Sequence, residues 1–217
     1  LARKNKTALL AAIQQIIPSD VSIIAVRQDQ AKGLGHAVHC AAPLINDEPF
    51  AVILPDVLVN NAADKSNDLA RMVAEFEVTS AAQIMVGEVA AEKVQSYGIA
   101  DCKGAQLAAG QSTPISGLVE KPAPEQAPSN LAVIGRYILP ARVMGLLADG
   151  KPGAGGEIQL TDAIDSLLSE QSVAAYKMTG ETYDCGEKLG YVKANIAYGL
   201  QHIETATGLK EFIKNLA

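Results

Sequence analysis

The chain has 217 residues, 48% of them hydrophobic, and a formal net charge of −6. That length and apolar content suit one domain, read here as spanning residues 1–217 and incomplete at its N-terminal end. An acidic balance with no basic block excludes a nucleic-acid partner, and no apolar run reaches membrane-spanning length.

Leu9, Ile13, Ile16 and Ile17 share one helical face, and Pro18-Ser19-Asp20 ends that helix. Val21 to Val26 reads as a strand, and Gly33 to Ala42 as a short helix. Next comes Phe50-Ala51-Val52-Ile53-Leu54-Pro55-Asp56. Its apolar run, Ala51 to Leu54, reads as a strand buried on both faces, stopped by Pro55, with Asp56 at its carboxyl end. Asn60 to Asn67 is loop-like. Leu69, Met72, Val73 and Phe76 recur at helical spacing, and Gln83 to Val89 is again a strand. This alternation implies a largely parallel sheet. Short strands follow at Tyr97 to Lys103, Ala105 to Leu107, Ile115 to Glu120 and Leu131 to Leu139, which suits antiparallel hairpins. Pro122 to Pro128 reads as a surface loop. Helices are expected at Ala141 to Ala148 and Thr161 to Ser169, the latter with a stripe of Leu160, Ala163, Ile164, Leu167 and Leu168. Val173 to Met178 is a late strand, and Leu189 to Ile203 and Leu209 to Leu216 are closing helices.

Open α/β sheets bind ligands off the carboxyl ends of their strands. A carboxylate there, such as Asp56, suits a hard divalent cation, and a cation suits a phosphate. Asp184, in Tyr183-Asp184-Cys185-Gly186, follows the late strand. Gln28 precedes the turn Lys32-Gly33-Leu34-Gly35. An amide can pair donor and acceptor with a pyrimidine edge, and a glycine lets a base approach the backbone. The turn lacks the third glycine of a dinucleotide fingerprint. Glu120 and Lys121 precede Pro122. Neighbours on a strand point to opposite faces, so a bulge or strand end is needed for both to meet one ligand. Gly153 to Asp162 is a glycine-rich loop feeding a helix. Each feature also has a plainer reading. Asp56 and Asp184 would be turn or helix caps, Gln28 a surface amide, Glu120 with Lys121 an exposed ion pair, and Thr161 or Asp162 a helix cap. His36, His39 and His202 show no zinc spacing and suit packing or solvent. Cys40, Cys102 and Cys185 are an odd, widely spaced set that fits reduced thiols in the cytoplasm.

Three stretches, taken together and in order, resemble the sugar-1-phosphate nucleotidylyltransferases. They are Val26-Arg27-Gln28 with Lys32-Gly33-Leu34-Gly35-His36-Ala37, Phe50 to Asp56, and Val119-Glu120-Lys121-Pro122. The resemblance runs from about Val26 to Leu200. It implies an α/β fold of Rossmann-like type, with a mixed, mainly parallel sheet flanked by helices and an antiparallel sugar-binding excursion. It also implies Mg2+-assisted transfer of a uridylyl group from UTP to glucose 1-phosphate, giving UDP-glucose and pyrophosphate, by a cytoplasmic homo-oligomer (dimer or tetramer).

By the same resemblance Gln28 and Gly33 hold the uracil, and Asp56 and Asp184 hold the metal. Glu120 binds sugar hydroxyls and Lys121 neutralises the sugar phosphate, with Asp56 and Lys121 the catalytic pair. Tyr97 and Gly98 lie against the sugar. Ser129-Asn130 and Val133-Ile134-Gly135 line its pocket, and Glu157 approaches it. Family members often carry a second acid after the aspartate, where this chain has Val57. They also open with a glycine-rich loop bearing an Arg and a Lys that cradles the triphosphate. Nothing here matches that loop, so the chain as it stands is expected to be nearly inactive. A sister enzyme using dTTP or another sugar phosphate stays open, as does an inactive sugar-nucleotide-binding or regulatory module.

Overall fold

The computed structural model describes residues 6–61 and 67–216. The first elements are α1 (Thr7–Gln14), α2 (Leu34–His39), α3 (Ala42–Ile45), β1 (Phe50–Ile53), β2 (Val57–Asn60), α4 (Asp68–Thr79) and β3 (Ala82–Glu88). A run of short strands follows: β4 (Gly98–Asp101), β5 (Ser112–Pro114), β6 (Gly117–Glu120) and the longer β7 (Leu131–Leu139). The chain closes with α5 (Arg142–Ala148), α6 (Leu160–Leu167), β8 (Val173–Lys177), β9 (Glu181–Asp184), α7 (Lys188–Gln201) and α8 (Ala206–Leu216).

The main sheet runs β5-β8-β3-β7-β4-β6, and β1 also pairs with β7. β2 and β9 form a separate two-stranded ribbon. A mixed sheet flanked by helices was expected, and it is found. The mainly parallel pairing was not: among the described strands only β3 with β8 is parallel. The physical reason lies in β7. Both β1 and β3 run antiparallel to it, so β1, β3 and β8 share one direction, as right-handed crossovers require. β7 returns between β1 and β3, and the pairings become antiparallel.

Two layers of core form on the sheet. Ile84, Val86, Val133 and Leu139 meet Val143 and Leu147 of α5 and Leu160, Ile164 and Leu167 of α6 on one side. The expected stripe on α6 is therefore buried, with Leu168 packed against its edge. On the other side Met85, Ile134, Ile138 and Tyr176 meet Met72 of α4, with Val57 and Val59 of the ribbon packed against them. Asn67 caps α4, its side chain accepting from Ala70 N at 2.8 Å.

Four sequence expectations are corrected. Val21 to Val26 forms no strand, and Ile23 and Ile24 are 72% and 65% exposed, because nothing among the described residues offers this run a ladder. Ala105 to Leu107 forms a turn and irregular chain instead of a strand. β1 is not buried on both faces: it alternates, with Ala51 and Ile53 exposed. The loop expected from Asn60 begins in strand β2, and its middle, residues 62–66, lies outside the described residues. No helix of the described residues is long and apolar enough to cross a membrane. The three cysteines are free.

Candidate active site

Pro55 stops β1, and the chain turns directly into β2, which leaves Asp56 exposed on the bend. β2 pairs with β9 in a register that sets Val57 opposite Asp184, and Cys185 N donates to the Asp56 carbonyl at 2.7 Å. A Cβ built on Gly186 would stand 3.0 Å from Oδ1 of Asp184 and 3.7 Å from Oδ2 of Asp56. Both carboxylates thus border one small volume. Among the described residues no third acid, histidine or cysteine joins them as a cluster.

These two acids line a cleft of about 380 Å3 together with Tyr97, Gly98, Glu120, Lys121, Gly135 and Glu157. Four carboxylates and one lysine therefore set its charge. Glu120 ends β6, opposite Gly98 of β4, and Oε2 of Glu120 accepts from Thr161 Oγ1 at 2.9 Å. Lys121 adopts a left-handed backbone with φ +47°, and its Nζ lies 3.6 Å from Oε1 of Glu120. That single residue breaks the strand's alternation. The break required for Glu120 and Lys121 to share a ligand is present. Gly135 has φ +61°, and a Cβ there would stand 2.9 Å from the Leu54 side chain. Glycine lets Leu54, the residue after β1, seat on β7, which fixes where Asp56 emerges. A second cavity of about 530 Å3 shares Val57, Tyr97, Val133 and Asp184 with the cleft. Burial, with the charges of Asp184 and Glu187, pushes the Tyr97 phenol up.

Gln28 and Gly33 do not line this cleft. They stand beside it, because Gly33 abuts the chain at Glu157 and Leu34 lines the wall. Lys32 and Gly35 pair with Ile158: Ile158 N donates to Lys32 O at 2.8 Å, and Gly35 N donates to Ile158 O at 2.9 Å. Gly33, with φ +99°, leaves no room for a side chain, since a Cβ would lie 2.7 Å from the Ile158 carbonyl. The glycine-bearing turn is thereby held against the loop that carries Glu157. Oε2 of Glu157 accepts from Gln159 Nε2 at 3.2 Å. Ser129 is not part of the cleft lining; its hydroxyl donates to Ala100 O at 2.7 Å.

Three structural supports were not found in the sequence. Arg136 donates to the carbonyls of Leu54 at 2.9 Å, Gly135 at 3.0 Å and Val57 at 2.6 Å, pinning the bend on both sides of Asp56. Burial lowers its pKa and the Asp56 charge partly restores it. Tyr137 is buried on the cleft wall, and burial together with the Glu120 charge keeps its phenol protonated. Asp68 is fully buried at the far end of the ribbon. It accepts from Asn61 Nδ2 at 2.9 Å, Tyr176 OH at 2.9 Å, Thr179 Oγ1 at 2.7 Å and Gly180 N at 3.2 Å.

Asp68 carries a pH prediction. Burial pulls its pKa up, but the hydrogen bonds from Asn61, Thr179 and Tyr176 together outweigh this, and it lies below the ordinary carboxylate value. A depressed folded pKa gives stability that is present above the unfolded value and lost as pH falls through the folded one. Asp68→Asn is expected to cost about 1–3 kcal/mol near neutrality. That deficit should shrink as pH falls below the ordinary carboxylate value of about 4. Urea unfolding of both proteins across this range checks it, and a pH-independent deficit would refute it.

A family profile described as nucleotidyl transferase matches residues 1–200. A UTP–glucose-1-phosphate uridylyltransferase of Haemophilus influenzae is 51% identical, covering 100% of this chain and 74% of its own length. A structure described as UTP-bound UGPase from Acinetobacter baumannii superposes with a TM-score of 0.90 at 47% identity, covering 100% of this chain and 74% of its own. A UDP-glucose pyrophosphorylase complexed with UDP-glucose gives a TM-score of 0.81 at 41% identity, covering 92% of this chain and 74% of its own.

Proposed function

This chain belongs to the nucleotidyl transferase family, and on that premise we propose that its chemistry joins UTP and glucose 1-phosphate, giving UDP-glucose and pyrophosphate. The observation that carries this reading is one cleft in which Asp56 and Asp184 stand together with Glu120 and Lys121. An oxygen of the sugar phosphate attacks the α-phosphorus in line. A new phosphorus–oxygen bond forms as the bond to pyrophosphate breaks, and no side-chain nucleophile takes part. Lys121 offers a point charge to the sugar phosphate, and Glu120 accepts from sugar hydroxyls. Tyr97 and Gly98 bound the sugar's face, and Gly135 lets β7's backbone come close to it. Gln28 and Gly33, beside Glu157, face the base.

Two hard carboxylates, with no third clustered beside them among the described residues, fit Mg2+, which takes one or two protein oxygens and keeps water and phosphate for the rest. When bound, the ion supplies positive charge to phosphates in a cleft that is otherwise acidic. The free cysteines support a reducing, cytoplasmic setting. The exposed Leu189, Tyr191 and Val192 of α7 and Phe212 and Leu216 of α8 support a homo-oligomer. Relatives at half identity that are named uridylyltransferases do not favour a thymidylyl sister or an inactive module.

Titration of the 217-residue chain with UDP-glucose and Mg2+, followed by amide NMR shifts, tests the reading. Shifts should cluster at Gly98, Glu120, Lys121 and Gly135, and dTDP-mannose should compete poorly. Shifts elsewhere, or none, would overturn it.

A further inference from the structure

We propose that Arg136 is a positioning residue of the reaction: it clamps the ribbon that carries Asp184 to the sheet that carries Glu120 and Lys121, and so aligns the two halves of the cleft. This rests on the reading that Asp56 and Asp184 hold a cation and Lys121 the sugar phosphate.

The two halves belong to separate hydrogen-bonded sheets. Glu120 ends β6, and Gly135 lies in β7, both in the main sheet, whereas β2 and β9 pair with each other. The chain passes from one to the other at Leu54-Pro55-Asp56-Val57. Leu54 stays with the main sheet, its N–H donating to Gly135 O at 3.0 Å. Asp56 and Val57 go with the ribbon, through Cys185 N and the register with Asp184. Pro55, between them, has no N–H to add a backbone tie. Arg136 spans this step. From β7 its Nη1 donates to Leu54 O at 2.9 Å and its Nη2 to Val57 O at 2.6 Å. A guanidinium is a rigid planar fork, so it holds the two carbonyls at a set spacing, and charge makes both bonds strong. Tyr97 bridges the same gap by a hydrogen bond to the Asp184 carboxylate, the group a cation takes. Arg136 grips carbonyls instead, and these stay held when the site fills.

At the ribbon's other end Asp68 does the matching work. It accepts from Asn61, just past β2, and from Thr179 and Gly180, just before β9, as well as from Tyr176 of β8. Without Arg136 this second clamp keeps the ribbon folded and docked. The end bearing Asp56 and Asp184 is then free to shift against Glu120 and Lys121. Each half keeps its own contacts, and what is lost is their alignment. In-line transfer depends on that alignment more than binding does. Arg136 acts through the backbone of the bend and touches no substrate.

Mn2+ added to the 217-residue chain as a paramagnetic probe tests this. In the native chain it should broaden amide signals on both halves, at Cys185 and Gly186 on the ribbon side and at Gly98 and Lys121 on the sheet side. Arg136→Lys keeps the charge but has one nitrogen for two carbonyls. It should keep the ribbon-side broadening and lose much of that at Gly98 and Lys121. In a protein extended to the relatives' length, the same variant should lower kcat about a hundredfold, as a misplacement of roughly 1 Å does, with KM for glucose 1-phosphate unchanged. Nitrogen NMR of the native guanidinium should find separate Nη1 and Nη2 signals, because both are held, a result that does not depend on how the variant folds. Broadening or kcat left unchanged by Arg136→Lys, or a single averaged Nη signal, would overturn the proposal. If Mn2+ broadens neither half of the native chain, Asp56 and Asp184 do not hold a cation, and the underlying reading of the site is what fails.

Discussion

Asp56→Asn is expected to lower turnover by roughly a thousandfold while leaving the fold intact. Asn keeps the size and removes the charge. The Asp56 side chain is exposed and makes no hydrogen bond among the described residues. What the fold uses there is the backbone: the Asp56 carbonyl accepts from Cys185, and the neighbouring carbonyls of Leu54 and Val57 accept from Arg136. All of these survive the substitution. Turnover is best followed in a protein extended to the relatives' length, since this chain spans 74% of the Haemophilus influenzae relative. Thermal melting without nucleotide supplies the control. A near-normal kcat at ordinary Mg2+ would make Asp56 a turn residue and nothing more.

Lys121→Ala should raise KM for the sugar phosphate roughly thirtyfold, equivalent to about 2 kcal/mol of charge-assisted contact. KM for the nucleotide should change far less. Stability should move by less than about 0.5 kcal/mol, because the Lys121 ammonium is half exposed, stands 3.6 Å from Glu120, and such pairs contribute little. Alanine also retains the Cβ, so the left-handed backbone at φ +47° carries the same strain in both proteins. Steady-state kinetics varying each substrate in turn decides the matter. Equal effects on both KM values would reduce Lys121 to a surface charge.

The site was legible wherever its chemistry is local in sequence. A strand stopped by Pro55 announces Asp56, and the Glu120-Lys121-Pro122 sequence announces a strand end with two charges on it. Helix α6 was readable because its apolar stripe repeats within eight residues. Supports that act across the fold left no such trace. Arg136 sits in an apolar strand, and its acceptors Leu54 and Val57 are carbonyls, which any residue could supply. Asp68 looks like an ordinary helix-start acid. Its burial depends on Tyr176 and Thr179, which reach it only through the pairing of β3 with β8. The run from Val21 to Val26 shows the converse: strong β-propensity without a ladder partner yields no strand.

The ribbon of β2 and β9 joins Asp56 and Asp184, residues separated by more than half the chain. That has a consequence for the order of assembly. During synthesis Asp56, Glu120 and Lys121 emerge well before Asp184, and the cleft has no closed wall until β9 docks on β2. Closing so long a loop is among the slower steps open to a chain of this topology. Any ligand of that cleft therefore cannot guide the early collapse. A group that needs both carboxylates can bind only the finished cleft, and its stabilisation would arrive as a final lock on a protein that has already folded without it.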